Sequence, residues 1–361
     1  MKHKLITFFF LIALGFSFNL ITPTDSKAGA FGCAKDADGA IIVQRLTDTF
    51  FDLTDGTQDN QCSEEPDFYK VLIYKVAICR EDPFTAGGLA LPNYDSCVIL
   101  IDDFDKTDAD ATIIEPASET LLPIQESIIP VGTYPFATLV VDSKIKIKHT
   151  QKYSYKAGLG SNKGVRGSES TDLNDGEDER SVCWSTAKVT TLHNDAYDAN
   201  DAYPVAHGLG SSTAVIKPSP EQAKATMECG ATAGTAAYAT EIIDDLRDSG
   251  RFRAYQDYSD VAEDTGIGGI ELGALLLKDE ATISDSLNNS RLLSINYKYA
   301  TPIEITDQTI GLNVNIKTSS AISLDFGWDN TNKVVWGEKV GANAFTTQFL
   351  TKTQRSRGAW R

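Results

Sequence analysis

Residues 69–79, YKVLIYKVAIC, restrict the fold of this chain more than any other segment. They are dense in β-branched and aromatic residues, and both alternating faces are largely apolar, which predicts a central β-strand buried on both sides or against a second sheet. A proline and two glycines then interrupt the chain before residues 97–101 begin a second apolar run. Together the two runs predict a long β-hairpin.

Shorter runs of the same kind recur along the chain. Residues 129–134, Ile-Pro-Val-Gly-Thr-Tyr, predict a type I turn that leads into a strand. Residues 144–148 alternate lysine with isoleucine, which predicts a strand with one face toward water. The other runs are residues 136–141, 302–306, 312–316 and 321–326. Because spacing of about ten residues is typical of sandwiches and barrels, we predict a mainly β fold, an antiparallel β-sandwich.

The first thirty residues have the pattern of a secretory signal peptide. Two lysines precede an apolar run over residues 5–21, and residues 28–30, Ala-Gly-Ala, provide a small-residue cleavage site. An uncleaved anchor is the alternative. We expect a mature chain that begins at Phe31 and is secreted, periplasmic or held at the cell surface. No later run approaches the roughly 20 apolar residues of a membrane-spanning helix, so no transmembrane anchor is expected after cleavage.

All six cysteines follow the cleavage site, which favours disulfides in an oxidising compartment. They are Cys33, Cys62, Cys79, Cys97, Cys183 and Cys229. Six cysteines allow fifteen connectivities, and the sequence alone does not choose among them. We expect consecutive cysteines to pair, first with second, third with fourth and fifth with sixth. The middle pair has the best support because its members stand at the facing ends of two predicted strands. No closely spaced Cys and His pattern indicates zinc.

The chain is strongly acidic. It has 33 basic and 50 acidic residues, and removal of the first thirty residues leaves 30 basic against 49 acidic, a net charge of −19. Nucleic acid and anionic lipid are therefore not expected as partners, because binding to phosphate groups depends on stripes of Lys and Arg.

Composition also divides the mature chain into regions. Residues 31–149 and 266–340 hold the β-rich runs and predict the first part and the returning strands of the sandwich. Residues 150–265 are rich in Gly, Ser, Asp and Asn and predict a long, loop-rich, partly helical insertion, with an independent second domain as the alternative. Within this region, residues 219–229 predict a helix that starts at a Ser-Pro pair, and residues 236–247 predict a second short helix.

Three of these features resemble secreted bacterial β-sandwich proteins of transthyretin-like or immunoglobulin-like form. They are the Tyr-Lys-Val strand at residues 69–79, the Ile-Pro-x-Gly-Thr-Tyr turn at 129–134 and the terminal strands over 302–326. The resemblance covers under half of the mature chain. It implies architecture and export more than chemistry, since many proteins of this kind have no assigned activity.

Several acidic loops have the composition of calcium sites, because Ca²⁺ takes six to eight oxygen ligands from carboxylates and carbonyls. The candidate ligands are Asp102, Asp103, Asp105, Asp108, Asp195 and Asp198. None of these loops matches the EF-hand pattern. A solvated acidic loop that keeps an exported protein soluble is the alternative. Calcium is thus an optional ligand, and no cofactor is expected to be required for folding.

Catalytic patterns are scarce. The mature chain has three histidines, His149, His193 and His207, and it contains neither H-E-x-x-H nor G-x-S-x-G. His193 with Asp195 and Asp198 is the best catalytic constellation. We therefore expect no enzyme activity, with a secreted hydrolase kept as an alternative.

Aromatic residues are further candidates for binding glycans or proteins. For Trp184, beside Cys183, we expect instead a place in the core against a disulfide. Trp328 and Trp336 bracket a turn-like run, and we expect them to form a cross-strand pair.

The C-terminus has the most unusual charge pattern. From Lys339 to the end the chain has five basic residues and no acidic residue, and residues 341–361 are expected to form a basic tail. The candidate assembly residues are Lys352, Arg355, Arg357, Trp360 and Arg361. We predict that the tail docks on an acidic face of another copy or adds a strand to its open edge, and such head-to-tail contacts build filaments. A tail that folds on its own surface or is disordered is the alternative.

Together these features favour an exported structural or adhesion-type surface protein that assembles with itself or contacts surface glycans or proteins. An extracellular Ca²⁺- or carbohydrate-binding module is the second class, and a secreted hydrolase is the third.

Overall fold

A computed structural model describes residues 32–45, 51–52, 61–84, 90–116, 122, 129–156, 165–166, 180–191, 207, 209, 215–216, 226–230, 232–246, 250–257, 269–286, 289–329, 334–342 and 345–353. Nearly all regular structure in these residues is β-strand, and the helical part within them is limited to 3-10 structure at Asp108–Asp110 and at Asn289. The expectation of a mainly β, sandwich-like fold is confirmed.

In chain order the strands are β1 (Ile41–Arg45), β2 (Phe51–Asp52), β3 (Gln61–Glu64), β4 (Phe68–Val71), β5 (Ile73–Cys79), β6 (Cys97–Asp102), β7 (Thr112–Ile114), β8 (Gly132–Asp142), β9 (Lys144–Lys148), β10 (Thr150–Lys156), β11 (Val165–Arg166), β12 (Arg180–Ser185), β13 (Val189–Thr191), β14 (Val215–Ile216), β15 (Met227–Gly230), β16 (Ala239–Ile242), β17 (Phe252–Asp257), β18 (Ile270–Asp279), β19 (Thr282–Ile283), β20 (Leu292–Ile305), β21 (Thr309–Lys317), β22 (Ile322–Asp329), β23 (Val334–Ala342) and β24 (Thr346–Thr353).

The largest sheet has seven strands and curls into a half-barrel. Its order is β17-β18-β20-β8-β5-β6, with β19 paired to β18, and all of these pairs are antiparallel. One face of this sheet belongs to the main hydrophobic core, and the other face carries a second apolar cluster. The sheet is therefore covered on both sides, as the apolar faces of residues 73–79 predict.

The run over residues 69–79 forms two strands rather than the single strand expected. The break falls at Leu72, whose carbonyl accepts the amide of Asp142. A corresponding break at Ser143 separates β8 from β9, and β9 pairs with β4 while β8 pairs with β5. A two-stranded ribbon thus passes from the seven-stranded sheet into a six-stranded one, which makes a corner of the kind found where packed sheets cross.

Residues 150–265 contribute strands to the same sheets as the segments that flank them. The other sheets have the orders β14-β13-β16-β9-β4-β7, β15-β12-β10-β1-β2, β11-β23-β22-β3 and β21-β24. Within them β10 pairs in parallel with β1, and β16 pairs antiparallel with β9. In the half-barrel β17 pairs with β18. Four described strands of this region, β10, β11, β16 and β17, are therefore paired with strands from the β-rich ends of the chain.

The two helices expected in this region are not helices where the structure describes them. Met227–Gly230 is strand β15, whereas residues 217–225 lie outside the described ranges. Ala239–Ile242 is strand β16, and residues 243–246 continue it without helical structure. All four residues of β16 are buried and pair with β9. Non-local pairing of β-branched residues here outweighs the local helix signal.

Three disulfides join the cysteines as consecutive pairs, the pairing expected from the sequence. The pairs are Cys33–Cys62, Cys79–Cys97 and Cys183–Cys229. The second and third bridge residues that lie directly opposite each other in antiparallel strands. The first ties the N-terminal segment to β3.

The turn before β8 is held by a buried tyrosine. The hydroxyl of Tyr134 donates to the carbonyl of Pro130, four residues upstream, at 2.6 Å. The Arg80 guanidinium lies 5.3 Å from the centre of the Tyr134 ring and donates to the carbonyl of Val131 at 3.0 Å. A tyrosine bonded to the backbone just upstream is the tyrosine-corner arrangement of β-sandwiches.

Much of the expected C-terminal tail lies inside the fold, as the end of β23 and as β24. Tyr297 and Tyr299 of β20 each donate a hydroxyl to a backbone carbonyl of this segment at 3.0 Å. The acceptors are Phe345 and Thr347. These bonds hold β24 against the half-barrel, and residues 354–361 lie outside the described ranges.

Trp184 does not pack in the core on its neighbouring disulfide. Cys183 is buried, and Trp184, on the other face of β12, is only half-buried. Its indole lies on the backbone of Gly230 and Gly234, and a side chain at Gly234 would overlap the ring. The expectation fails because adjacent residues of a strand face opposite sides.

The cross-strand pair expected for Trp328 and Trp336 is also wrong. In the β22–β23 register Trp328 lies opposite Val335, and Trp336 lies opposite Gly327. The two tryptophans are offset by one residue, since the strand register is set by the whole β22–β23 pairing rather than by the two aromatic residues.

Candidate functional site

An open cleft of about 590 Å³ lies at one end of the six-stranded sheet, where β4 begins and β9 passes into β10. Its lining residues are Asp67, Phe68, Glu115, Pro116, Lys148, Thr150 and Ala236. We call it the sheet-end cleft. Segments that are far apart in sequence therefore build one depression.

Strand pairing explains how these segments meet. β4 lies between β9 and β7, with Phe68 opposite Lys148 and Tyr69 opposite Ile114. Glu115 directly follows β7 and so comes to the same end of the sheet. The Lys148 ammonium lies 5.3 Å from the centre of the Phe68 ring, a cation–π contact that contributes roughly 0.5–1 kcal/mol at exposed sites. The ring and the ammonium thus share one surface of the cleft.

Asp67 is a half-buried carboxylate. Burial raises its pKa, while hydrogen bonds from the backbone and hydroxyl of Thr150 and the charge of Lys148 act in the opposite direction. Burial is the larger effect. The surroundings therefore do not fully stabilise the negative charge of Asp67, and a further cation beside it would do so.

Glu115 is the second carboxylate of the cleft and is exposed. The pKa of Tyr238 is raised, first by burial and second by the charge of Glu115. Glu115 is thus near enough to act electrostatically on a neighbouring segment, and it extends the negative region beyond Asp67.

β7, which ends beside the cleft, is the last strand of its sheet. Among the described strands it pairs with β4 alone. Ile113, in its middle, is 50% exposed. A short exposed edge strand offers backbone N–H and C=O groups to a partner strand.

Two of the acidic residues considered as calcium ligands have lysine partners. Asp102 pairs with Lys75 at 3.2 Å. Asp108 pairs with Lys146 at 2.6 Å and with Lys70 at 3.5 Å, and the hydrogen bond from Lys146 is the main reason that its pKa is lowered.

The other candidate calcium ligands lie either in an exposed loop or outside the described residues. Asp103 accepts the backbone amide of Asp105 at 3.2 Å. Asp195 and Asp198 lie outside the described residues. Within the described part of the chain, no group of three or more His, Cys, Asp or Glu residues is arranged to hold a metal ion.

The two described histidines are buried. Burial lowers the pKa of His149 to about 3 and that of His207 to about 4. His149 stands between two cleft residues, Lys148 and Thr150, and its ring nitrogens have no hydrogen-bond partner among the described residues. His193, the centre of the catalytic hypothesis, lies outside the described residues.

Of the candidate assembly residues, the structure describes Lys352. It is exposed in β24 and lies opposite Gly311. Arg355, Arg357, Trp360 and Arg361 lie outside the described residues.

The exposed end of β24 lies near an exposed apolar side chain. Thr353 is opposite Thr309, next to Ile310, which is 67% exposed. Ile305, just before this turn, is paired with Gly132 at the start of β8. The last described residue of β24, Thr353, therefore lies at the end of the half-barrel where β8 begins.

The sheet-end cleft combines two carboxylates, an aromatic ring, an ammonium group and a hydroxyl. Such a set binds guanidinium groups or hydroxyl groups by hydrogen bonds and binds flat apolar groups on the ring. The described residues of its lining include neither histidine nor cysteine, the usual partners of an activated nucleophile. The arrangement suits binding. None of its residues was a candidate from the sequence, because only strand pairing brings them together.

No helix in the described ranges is long and apolar enough to cross a lipid bilayer. The chain matches no family model, and comparison with curated proteins and with solved structures found no match.

Proposed function

We propose that this protein is an exported structural or adhesion component of a cell surface, which acts by contact with copies of itself. The observation that carries the proposal is the presence of three disulfides that link segments of its β-sheets. The three disulfides span 18, 29 and 46 residues of sequence. Disulfides of this kind persist in oxidising compartments outside the cytosol.

The disulfides favour a rigid scaffold. In the chain-entropy model, loops of these lengths each contribute about 3–4 kcal/mol to the free energy of unfolding. The bridges at Cys79–Cys97 and Cys183–Cys229 hold neighbouring strands side by side. A protein that serves as a surface component benefits from resistance to unfolding more than from mobility.

Charge favours a second copy as the partner. The mature chain carries a net charge of −19, whereas its last eight residues, QRSRGAWR, contain three arginines and no acidic residue. Opposite charges on different parts of one chain attract across copies and steer association. Because the two surfaces differ, the contact is head-to-tail and extends into a polymer.

The test is the mass of the oxidised mature chain, from residue 31 onward, measured by light scattering over a range of concentrations. We expect the mass to rise with concentration and to fall again at high salt, and we expect electron microscopy of the same sample to reveal ordered polymers. A mature chain that stays monomeric at every concentration contradicts the proposal.

A further inference from the structure

The last eight residues of the chain have the chemistry of a docking segment. Residues 354–361 combine Arg355, Arg357 and Arg361 with Trp360 and follow directly on β24. Arginine binds carboxylates through paired hydrogen bonds, and an indole buries a large apolar area at little cost in conformational entropy. Such a segment is complementary to a surface on which carboxylates lie beside aromatic or proline side chains.

The sheet-end cleft offers this combination. Asp67 and Glu115 supply carboxylates, and Phe68 and Pro116 supply half-buried apolar surface between the same strands. Burial already raises the pKa of Asp67 in spite of Thr150 and Lys148. A guanidinium placed beside Asp67 therefore stabilises a charge that its own neighbours do not fully compensate.

The edge of the six-stranded sheet is the third feature that favours docking. β7 has its outer edge unpaired among the described strands, and Ile113 is half exposed there. A chain laid along β7 gains backbone hydrogen bonds by strand addition. The same chain reaches the cleft, because Glu115 and Pro116 follow β7 directly.

We infer that the sheet-end cleft of one copy binds residues 354–361 of the next copy, with arginines on the Asp67 and Glu115 carboxylates and Trp360 on the Phe68 and Pro116 surface. The inference rests on the proposed self-assembly and names the two surfaces that make the contact.

The direction of β24 favours the cleft of another copy over the chain's own. The ring centre of Phe345, just before β24, lies 5.7 Å from that of Tyr69, a core residue of β4 that directly follows Phe68 of the cleft. β24 then runs eight residues, about 25 Å, toward the end where β8 begins. Eight further residues span at most about 29 Å. A return to the same cleft would need a reversal at Thr353 followed by nearly full extension, whereas a neighbouring copy needs neither.

Two variants of the full mature chain test the tail and the cleft independently. The tail variant carries Arg355→Ala, Arg357→Ala and Arg361→Ala, and the cleft variant carries Asp67→Asn and Glu115→Gln. Each one alone is expected to raise the dissociation constant for self-association at least tenfold. Light scattering measures this, and thermal melts check that both variants fold.

The mixing experiment tests the contact itself. An equimolar mixture of the two variants contains one intact tail on the cleft variant and one intact cleft on the tail variant. We therefore expect the mixture to form dimers that do not grow further. A mixture that stays monomeric while the wild-type chain assembles overturns the inference.

Matched controls make the result specific. Asp103→Asn with Asp105→Asn removes the same charge from an exposed loop outside the cleft and is expected to assemble like the wild type. Glu115→Lys alone leaves the bonds between Asp67 and Thr150 intact and is expected to abolish assembly.

The outcomes separate the inference from the proposed function. Tail and cleft variants that assemble as well as the wild type overturn the inference and leave self-assembly standing. A wild-type chain that stays monomeric overturns both. A monomeric wild type whose cleft binds glycans on an array, with binding lost in the cleft variant, replaces both with a carbohydrate-binding module.

Discussion

At the scale of single residues, two buried histidines determine how the protein responds to acid. His149 is 4% exposed, and its ring makes no hydrogen bond with the described residues. Burial is the first cause of its lowered pKa, and the charge of Lys35 is the second. Protonation of this ring in the folded protein is therefore unfavourable.

This gives a prediction for the pH dependence of stability. The folded-state pKa of His149 is about 3, against an ordinary value of 6.5. The unfolded chain then binds more protons than the folded one between these values, so the free energy of unfolding falls as the pH falls through 6.5. For His149 the loss is about 2 kcal/mol at about pH 5. His207, with a pKa of about 4, adds a loss of the same sign.

Urea unfolding at about pH 7 and pH 5 measures the effect in the wild type and in His149→Leu. The variant lacks one titrating group and is expected to lose less stability between the two conditions. An equal loss in both proteins contradicts the assignment.

At the scale of elements, the attachment of β24 depends on residues of β20. Two buried phenols of β20 bind the backbone of this segment, and Tyr299 also bonds the hydroxyl of Thr347 at 2.8 Å. Phe349 packs edge-on to Tyr299 with ring centres 6.3 Å apart. These contacts hold β24 to the half-barrel.

We predict that Tyr297→Phe with Tyr299→Phe loosens β24 locally. Loss of each buried hydrogen bond costs about 1–2 kcal/mol, and amide hydrogen exchange over Thr346–Thr353 is expected to become faster while exchange in β5 and β8 is unchanged.

The control is Tyr134→Phe, which removes a buried phenol bond of similar kind to Pro130. It is expected to speed exchange near the start of β8 and to leave β24 protected. Equal acceleration of all strands in the double variant would mean that β24 is not a separate cooperative unit.

At the scale of the whole molecule, two disulfides each join neighbouring strands of one sheet, and the third ties the N-terminal segment to β3. The longest closes 46 residues and the shortest closes 18. Since closure entropy grows with loop length, the bridges are expected to differ in their contribution to stability.

We predict that Cys183→Ala with Cys229→Ala lowers the free energy of unfolding by about 4 kcal/mol, and that Cys79→Ala with Cys97→Ala lowers it by about 3 kcal/mol. Guanidinium unfolding of the two variants and the wild type measures both losses. If neither variant has a lower free energy of unfolding than the wild type, the disulfides do not stabilise a rigid scaffold, and the proposed function loses its support.

The sequence predicted local structure best where period-two apolar patterns were strong. Residues 73–79 and 144–148 are strands, and the cysteines pair as neighbours along the chain. The prediction failed where the outcome depended on distant residues. The helix expected over 236–247 contains strand β16, which pairs with the distant strand β9 and is buried on both faces.

What the sequence by itself determined is the class of fold, because strand periodicity is a local property of the chain, whereas the structure selected one of the fifteen possible cysteine pairings. The tertiary structure alone decided which strands become neighbours, where the ribbon turns at Leu72 and Ser143, and how Asp67, Phe68 and Glu115 meet in one cleft. A strand carries no local mark of its partner, since backbone hydrogen bonds are the same for every residue type. Partner choice follows from burial summed over the whole molecule, which no single segment contains.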